Sequence, residues 1–253
     1  MIGIIGGSGI YKLTELADSV EKILVNTDYG DGVEVSILKV KGKKVAFISR
    51  HSENHSYPPH MINYRANIDA LKSIGVTKII STCSVGSLNP DIHPGDIVIA
   101  EDFLDFTKNR FQTFYDDAVV HVDVTQPYCE NLNDIIGSNL ETIKKGVYVC
   151  TEGPRFESAA EIKMFKILGG DLVGMTGLPE VILAREREIC YSTICLVSNY
   201  GAGISNNKLT FDEVLEIIEI KREELINLIY KTICDIPDDW DCSCLNALSG
   251  AQK

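Results

Sequence analysis

Lys78-Ile-Ile-Ser-Thr-Cys-Ser-Val-Gly-Ser-Leu88 opens as an apolar, β-branched run and passes at Cys83 into small and polar residues. Such a run reads as a buried strand, Lys78–Thr82, that feeds a loop, Cys83–Leu88, with hydroxyls and backbone amides left open. Upstream of it, residues 60–74 carry apolar side chains at helical spacing and Gly75 stops them. Val33–Val40 and Lys43–Ser49 flank a turn and suggest a hairpin, and Met1–Gly6 is a short strand that turns at a glycine cluster. Downstream, strands are expected at Asp96–Ala100, Gly146–Cys150, Asp171–Val173 and Ile189–Val197, with helices at Ser158–Leu168, Pro179–Glu186 and Phe211–Ile233. Strands alternating with helices predict an α/β fold with a central twisted sheet between helices, an architecture that gathers ligands at strand ends.

The chain has 253 residues, 45% of them hydrophobic, and nothing resembling an interdomain linker, so one domain spanning residues 1–253 is expected. Residues 236–253 read as a polar, loosely tied tail. A formal net charge of −12 argues against nucleic-acid or acidic-membrane partners and means that an anionic ligand needs a local cationic pocket. No apolar run approaches the roughly 20 residues of a membrane span, and Met1 leads straight into a strand, so a cytoplasmic location is expected. Most of the eight cysteines sit in apolar surroundings, where the thiol acts as a small hydrophobe. Cys242-Ser-Cys244 differs: a metal clip, a redox pair, a disulfide and free thiols are all open to it.

The remaining motifs fall at strand ends. Gly6-Gly7-Ser8-Gly9 offers amides and a hydroxyl suited to an anion nest, though this segment by itself reads first as a tight strand-exit turn, and it matches no dinucleotide or P-loop fingerprint. Arg50-His51 can present a planar two-pronged donor and a second donor to a phosphate, the competing reading being a surface ion pair. Pro58-Pro59 argues against a helix that would align His51 with His55, and no acidic or thiolate partner stands at motif spacing, so no metal site is expected there. In Glu152-Gly-Pro-Arg-Phe-Glu157 and Ser198-Asn-Tyr-Gly201, Phe156 can stack on a purine while Glu157 and Asn199 read its edge. Helix N-terminal charge competes as an account of Glu157, and a turn role as an account of Asn199.

Together with Met175-Thr-Gly-Leu-Pro-Glu180, these motifs run in order from residue 2 to about residue 233 and resemble those of the purine nucleoside phosphorylase and 5′-methylthioadenosine phosphorylase family. The resemblance implies a mixed β-sheet of nucleoside phosphorylase type, inorganic phosphate as co-substrate, no cofactor or metal, and a homotrimer or dimer of trimers. It assigns Ser8, Arg50, His51, Cys83, Ser84 and Thr176 to phosphate, and Phe156, Glu157, Met175, Asn199, Tyr200 and Gly201 to base and ribose. Asn199 and Glu157 carry the catalytic contacts to the departing base. Phe211, and His121 from a neighbouring subunit, are assigned to the 5′ group. Two departures stand out: Ser52 where a glycine commonly follows the Arg-His pair, and Cys83 where a hydroxyl or amide is usual. C-terminal Cys-x-Cys pairs of this kind look like the disulfide motif of some heat-stable members.

Within the family, Asn and Glu at the positions of Asn199 and Glu157 go with 6-oxopurines. Adenine-directed relatives carry Asp, a small residue, and a second Asp at the position of Gly201. An apolar residue at Phe211 goes with a 5′-methylthio group. The expected substrate is therefore 5′-methylthioinosine. The rivals are methylthioadenosine phosphorolysis, inosine or guanosine phosphorolysis, and a purine-binding module without turnover.

Overall fold

The structure, a computed structural model, describes residues 1–7, 10–52, 57–205 and 210–251. The strands are β1 (Ile2–Gly6), β2 (Ser19–Thr27), β3 (Gly30–Val40), β4 (Lys43–Ser49), β5 (Lys78–Ser87), β6 (Ile97–Phe106), β7 (Lys145–Thr151), β8 (Leu172–Gly174) and β9 (Cys190–Tyr200). The helices are α1 (Tyr64–Ser73), α2 (Glu130–Ser138), α3 (Ala159–Ile167), α4 (Glu180–Glu186) and α5 (Phe211–Asp235). All nine strands join one mixed sheet in the order β2-β3-β4-β1-β5-β8-β7-β6-β9. The last strand also pairs in parallel with β5, from Lys78 opposite Cys190 to Ser87 opposite Tyr200. Half of the sheet thus curls back on itself into a closed five-stranded loop, β5-β8-β7-β6-β9.

Alternation along the central strands explains the layers. In β1 and β5, Ile5 and Ile79 face one core with Ile68 and Leu71 of α1 and Val181 and Leu183 of α4. Their neighbours Ile4 and Ile80 face a second core with Leu132 of α2 and Ile218, Leu225 and Ile229 of α5. A strand buried on both faces reads as a continuous apolar run, as β1 and β5 do. Each fully buried Ile or Leu contributes about 1.5–3 kcal/mol relative to exposure. The β3–β4 hairpin turns through Lys41 (φ 49°) and Gly42 (φ 82°), the two left-handed residues of a tight hairpin loop.

Several expectations need correction. Strand β2 and helix α2 were not anticipated, and the loop expected at Cys83–Leu88 is strand as far as Ser87. Residues 236–251 are not loosely tied: Trp240, Cys242 and Leu245 pack on the second core. Leu248 N–H donates to Glu188 Oε1 at 3.2 Å, and Ala251 O accepts from His121 N–H at 2.9 Å. No described helix is long and apolar enough to cross a membrane.

Candidate active site

The C-terminal ends of β1, β4, β5 and β9, with the segment after β8, converge on a cavity of about 170 Å³. It is lined by Arg50, His51, Cys83, Ser84, Phe156, Glu157, Met175, Thr176, Asn199, Gly201 and Phe211, so residues scattered over 160 positions of sequence meet in one place. Ser8 and His55 lie outside the described residues. A broader groove of about 970 Å³ runs between β2–β4 and residues 57–67 and shares Arg50 with this cavity, but Phe156, Glu157 and Asn199 do not border it.

Arg50 is in place but differently engaged from the expectation. Its Nε–H and one Nη2–H donate to the two carboxylate oxygens of Glu180, each at 2.8 Å, and both side chains are fully buried. Nη2 also donates to Ser81 Oγ at 2.5 Å and Nη1 to the Thr82 carbonyl at 2.8 Å. Four of the five guanidinium N–H groups are thereby used, leaving one on Nη1. The two-pronged fork expected for phosphate is closed on Glu180, and the ion pair expected at the surface is buried in the cavity wall. The pair carries no net charge, so an anion here is held by directed hydrogen bonds more than by a bare cation.

Several such donors stand nearby. Ser84 Oγ is buried without a hydrogen-bond partner among the described residues, a costly state for a hydroxyl unless a ligand completes it. Thr176 Oγ1 lies 3.3 Å from Cys83 Sγ. Burial pushes the Cys83 thiol up, so it stays protonated and serves to seat Thr176. His51 Nδ1 is 2.9 Å from the Tyr57 carbonyl, which only accepts, so the proton sits on Nδ1. Ser52 has φ 63°, the left-handed conformation that a glycine takes without strain.

At the end of β9, a β-bulge does the aiming. Val85 pairs with Val197 but Gly86 pairs with Asn199, so Ser198 is extra on β9 and both Ser198 and Asn199 face the cavity. A Cβ on Gly86 would come within 2.9 Å of Asn199 Nδ2, which is why glycine stands there. Asn199 Oδ1 is 2.8 Å from Ser198 Oγ, and its Nδ2 donates to the Tyr200 carbonyl at 2.9 Å, leaving one amide N–H. Tyr200 does not line the cavity; beyond the bulge its side chain turns away, and the hydroxyl sits 2.7 Å from His93 Nδ1. Glu157 is turned inward and buried, with Thr151 Oγ1 donating to Oε1 at 2.6 Å. Burial raises its pKa above the ordinary carboxylate range. The charge at the start of α3 comes instead from a capping box formed by Ser158 and Glu161. Phe156 and Phe211 are 40% and 60% exposed at the rim. His121 is exposed in an irregular segment and is absent from the cavity of its own chain.

Four contributors escape a reading of the sequence. Glu180 closes a motif there but carries no role of its own. Tyr148 is fully buried and its hydroxyl accepts the Thr176 and Gly177 N–H groups at 3.2 and 3.3 Å, holding the loop that carries Thr176. Arg110 donates to the Leu178 carbonyl at 2.5 Å and the Glu152 carbonyl at 2.8 Å, bracing the loops after β7 and β8. Val214, one helical turn after Phe211, extends the apolar rim, and its spacing was the available signal.

Residues 1–233 match the phosphorylase superfamily. A probable S-methyl-5′-thioinosine phosphorylase of Methanothermobacter thermautotrophicus is 55% identical, covering 99% of this chain and 90% of its own. The 6-oxopurine nucleoside phosphorylase of Pyrococcus furiosus is 47% identical over 99% and 98%. Among solved structures, methylthioadenosine phosphorylase from Schistosoma mansoni with adenine superposes with a TM-score of 0.93 at 28% identity, covering 100% of this chain and 98% of that one. A family match over nearly the whole chain, on a mixed sheet whose strand ends bring many of the expected residues to one cavity, leaves one conclusion: the chain is an enzyme and belongs to the phosphorylase superfamily.

Proposed function

We propose that the enzyme cleaves 5′-methylthioinosine with inorganic phosphate, giving hypoxanthine and 5-methylthioribose 1-phosphate. The observation that carries this reading is the placement of Glu157 and Asn199 on the same cavity as Ser84, Thr176 and Arg50. Glu157 accepts N1–H of the 6-oxopurine and fixes the base. The N-glycosidic bond lengthens, C1′ becomes oxocarbenium-like, and phosphate held by Arg50, His51, Ser84 and Thr176 attacks from the opposite face. The remaining Asn199 N–H meets negative charge developing on the departing purine; a preorganised contact of this kind contributes about 3 kcal/mol to the barrier. Phosphate-dependent release of hypoxanthine, followed by absorbance, tests the reading. Binding without phosphate-dependent release would leave only a purine-binding module.

Phe211 and Val214 give the 5′ end an apolar wall. Methylthioinosine should exceed inosine in kcat/KM by roughly 10-fold or more, because apolar pockets reject an added hydroxyl only moderately. Phe211→His should narrow the ratio. An unchanged ratio would remove Phe211 from the 5′ pocket.

We further propose a homotrimer or dimer of trimers in which His121 completes a neighbour's 5′ pocket, supported by its exposure and its absence from its own cavity. Mixing His121→Ala with Arg50→Ala chains should then restore part of the activity as subunits exchange. No recovery after exchange has been demonstrated by mass would rule out a shared site.

A further inference from the structure

Four cysteines that the reaction does not use converge at the other end of β9. The Sγ atoms of Cys129, Cys190, Cys242 and Cys244 all lie within 4.8 Å of one another. Cys129 immediately precedes α2, Cys190 opens β9, and Cys242 and Cys244 bracket the start of a 3-10 turn, Ser243–Asn246. The frame is fixed: Cys129 N–H donates to the Tyr191 carbonyl at 2.8 Å, and Leu245 N–H to Cys242 O at 3.0 Å. None of the eight cysteines is in a disulfide. We propose that this cluster is a closed tetrathiolate site for a divalent zinc-like cation, which fastens the C-terminal segment to α2 and β9.

Three features argue for a metal over two separate pairs. A tetrahedral S4 site with metal–sulfur bonds of about 2.3 Å has sulfur–sulfur edges of about 3.8 Å. The Cys129–Cys242 separation of 3.6 Å is close to that, and it joins residues far apart in sequence. The four atoms form one group, each within 4.8 Å of every other. The surroundings also suit thiolates: Trp240 Nε1–H points at Cys190 Sγ at 3.3 Å and Arg185 Nη1–H at Cys244 Sγ at 3.3 Å. Such donors orient ligands and temper their charge in metal sites. Lys78 Nζ lies 5.1 Å from the Trp240 ring centroid, a second cation beside a site whose net charge would be 2−.

Binding is not a redox step. Four thiols each release a proton to solvent and four sulfur–metal bonds form, with no electron transferred. With four protein ligands no position is open for substrate, so the role is structural. Cys190 and Asn199 stand at opposite ends of β9, about 30 Å apart along an extended strand, so the metal does not touch the reacting atoms.

The test is metal content of the full chain purified under reducing, chelator-free conditions, then replacement with Co²⁺. One zinc per chain, thiolate-to-Co²⁺ charge-transfer bands, and loss of both in Cys242→Ser/Cys244→Ser are expected. The double variant should keep kcat/KM within about 2-fold at moderate temperature while losing heat resistance. Should it fail to fold, Cys244→Ser alone and the wild-type metal content still decide. Metal-free wild type after zinc loading overturns the proposal, whether thiol titration of the denatured chain finds all eight thiols free or only the four that two disulfides would leave. So does stoichiometric zinc that survives the substitutions.

Discussion

Glu180→Ala is expected to destabilise the folded chain by about 3–5 kcal/mol, read as a lower denaturation midpoint at unchanged slope and fixed protein concentration. The reason is the charge it leaves behind. Arg50 and Glu180 are both fully buried, and the carboxylate accepts from Ser81 and Tyr191 hydroxyls as well as from the guanidinium. Burial alone would lower the Arg50 pKa, and Glu180 more than reverses that, so the guanidinium keeps its charge. Without the carboxylate, a guanidinium remains in a dry wall with one hydroxyl and one carbonyl. Replacing both partners removes the stranded charge: Arg50→Met/Glu180→Leu should recover part of the stability, the Ser81 and Tyr191 hydroxyls still losing their shared acceptor. Phosphorolysis should not return. Loss of one positioned donor at the phosphate costs on the order of 10² in rate. A Glu180→Ala chain as stable as wild type would show that the fold does not depend on the pair, and full turnover in the double variant would remove Arg50 from the phosphate end.

The Arg50–Glu180 pair is out of reach of the sequence, for a physical reason. The two residues are 130 positions apart, and nothing local tells an arginine that will bind a buried carboxylate from one that will face solvent. Local signals served where local forces decide. The apolar runs of β1 and β5, the glycine stop after α1 and the long amphipathic α5 were legible from periodicity. Strand β2 was not, because none of its side chains is fully buried and the exposed Leu24 stands between Ile23 and Val25, the two that pack on the core, which blurs the alternation. Helix α2 is short and polar apart from Leu132, Ile135 and Ile136. The site residues were legible as motifs, yet the bulge at Ser198 that turns Asn199 inward and Tyr200 away is a property of the pairing of β9 with β5. The four-cysteine cluster is tertiary in the same way, because Cys129 and Cys190 carry no spacing that points to Cys242 and Cys244.

Asn199→Asp/Glu157→Ser should move the enzyme from 6-oxopurine toward adenine nucleosides, with the ratio of kcat/KM for methylthioinosine over methylthioadenosine falling from as much as about 10⁴ toward unity. The 6-oxopurine presents N1–H and O6, whereas adenine presents a bare N1 and an N6 amino group. A Glu157 carboxylate facing adenine N1 opposes two acceptors in a buried place, and each mismatched group there costs about 1–3 kcal/mol. Aspartate at position 199 would accept from N6, and serine at 157 would remove the clash. A third change, Gly201→Asp, completes the adenine-type set but meets the present packing: a Cβ there lies 3.1 Å from both Ile162 and Leu88 side chains. The double variant is therefore the cleaner test. Acidity supplies an independent one. Burial raises the Glu157 pKa, so the carboxylate form that reads N1–H is complete only above that raised value and is lost as pH falls through it. Below it the protonated carboxyl donates, and adenine N1 is a suitable acceptor. The wild-type preference for the 6-oxopurine should accordingly narrow as pH drops through a range higher than an ordinary carboxylate's, and Glu157→Gln should abolish that pH dependence. A wild-type preference for methylthioadenosine, or a base ratio flat with pH, would place base recognition on groups other than Glu157 while leaving phosphorolysis itself untouched.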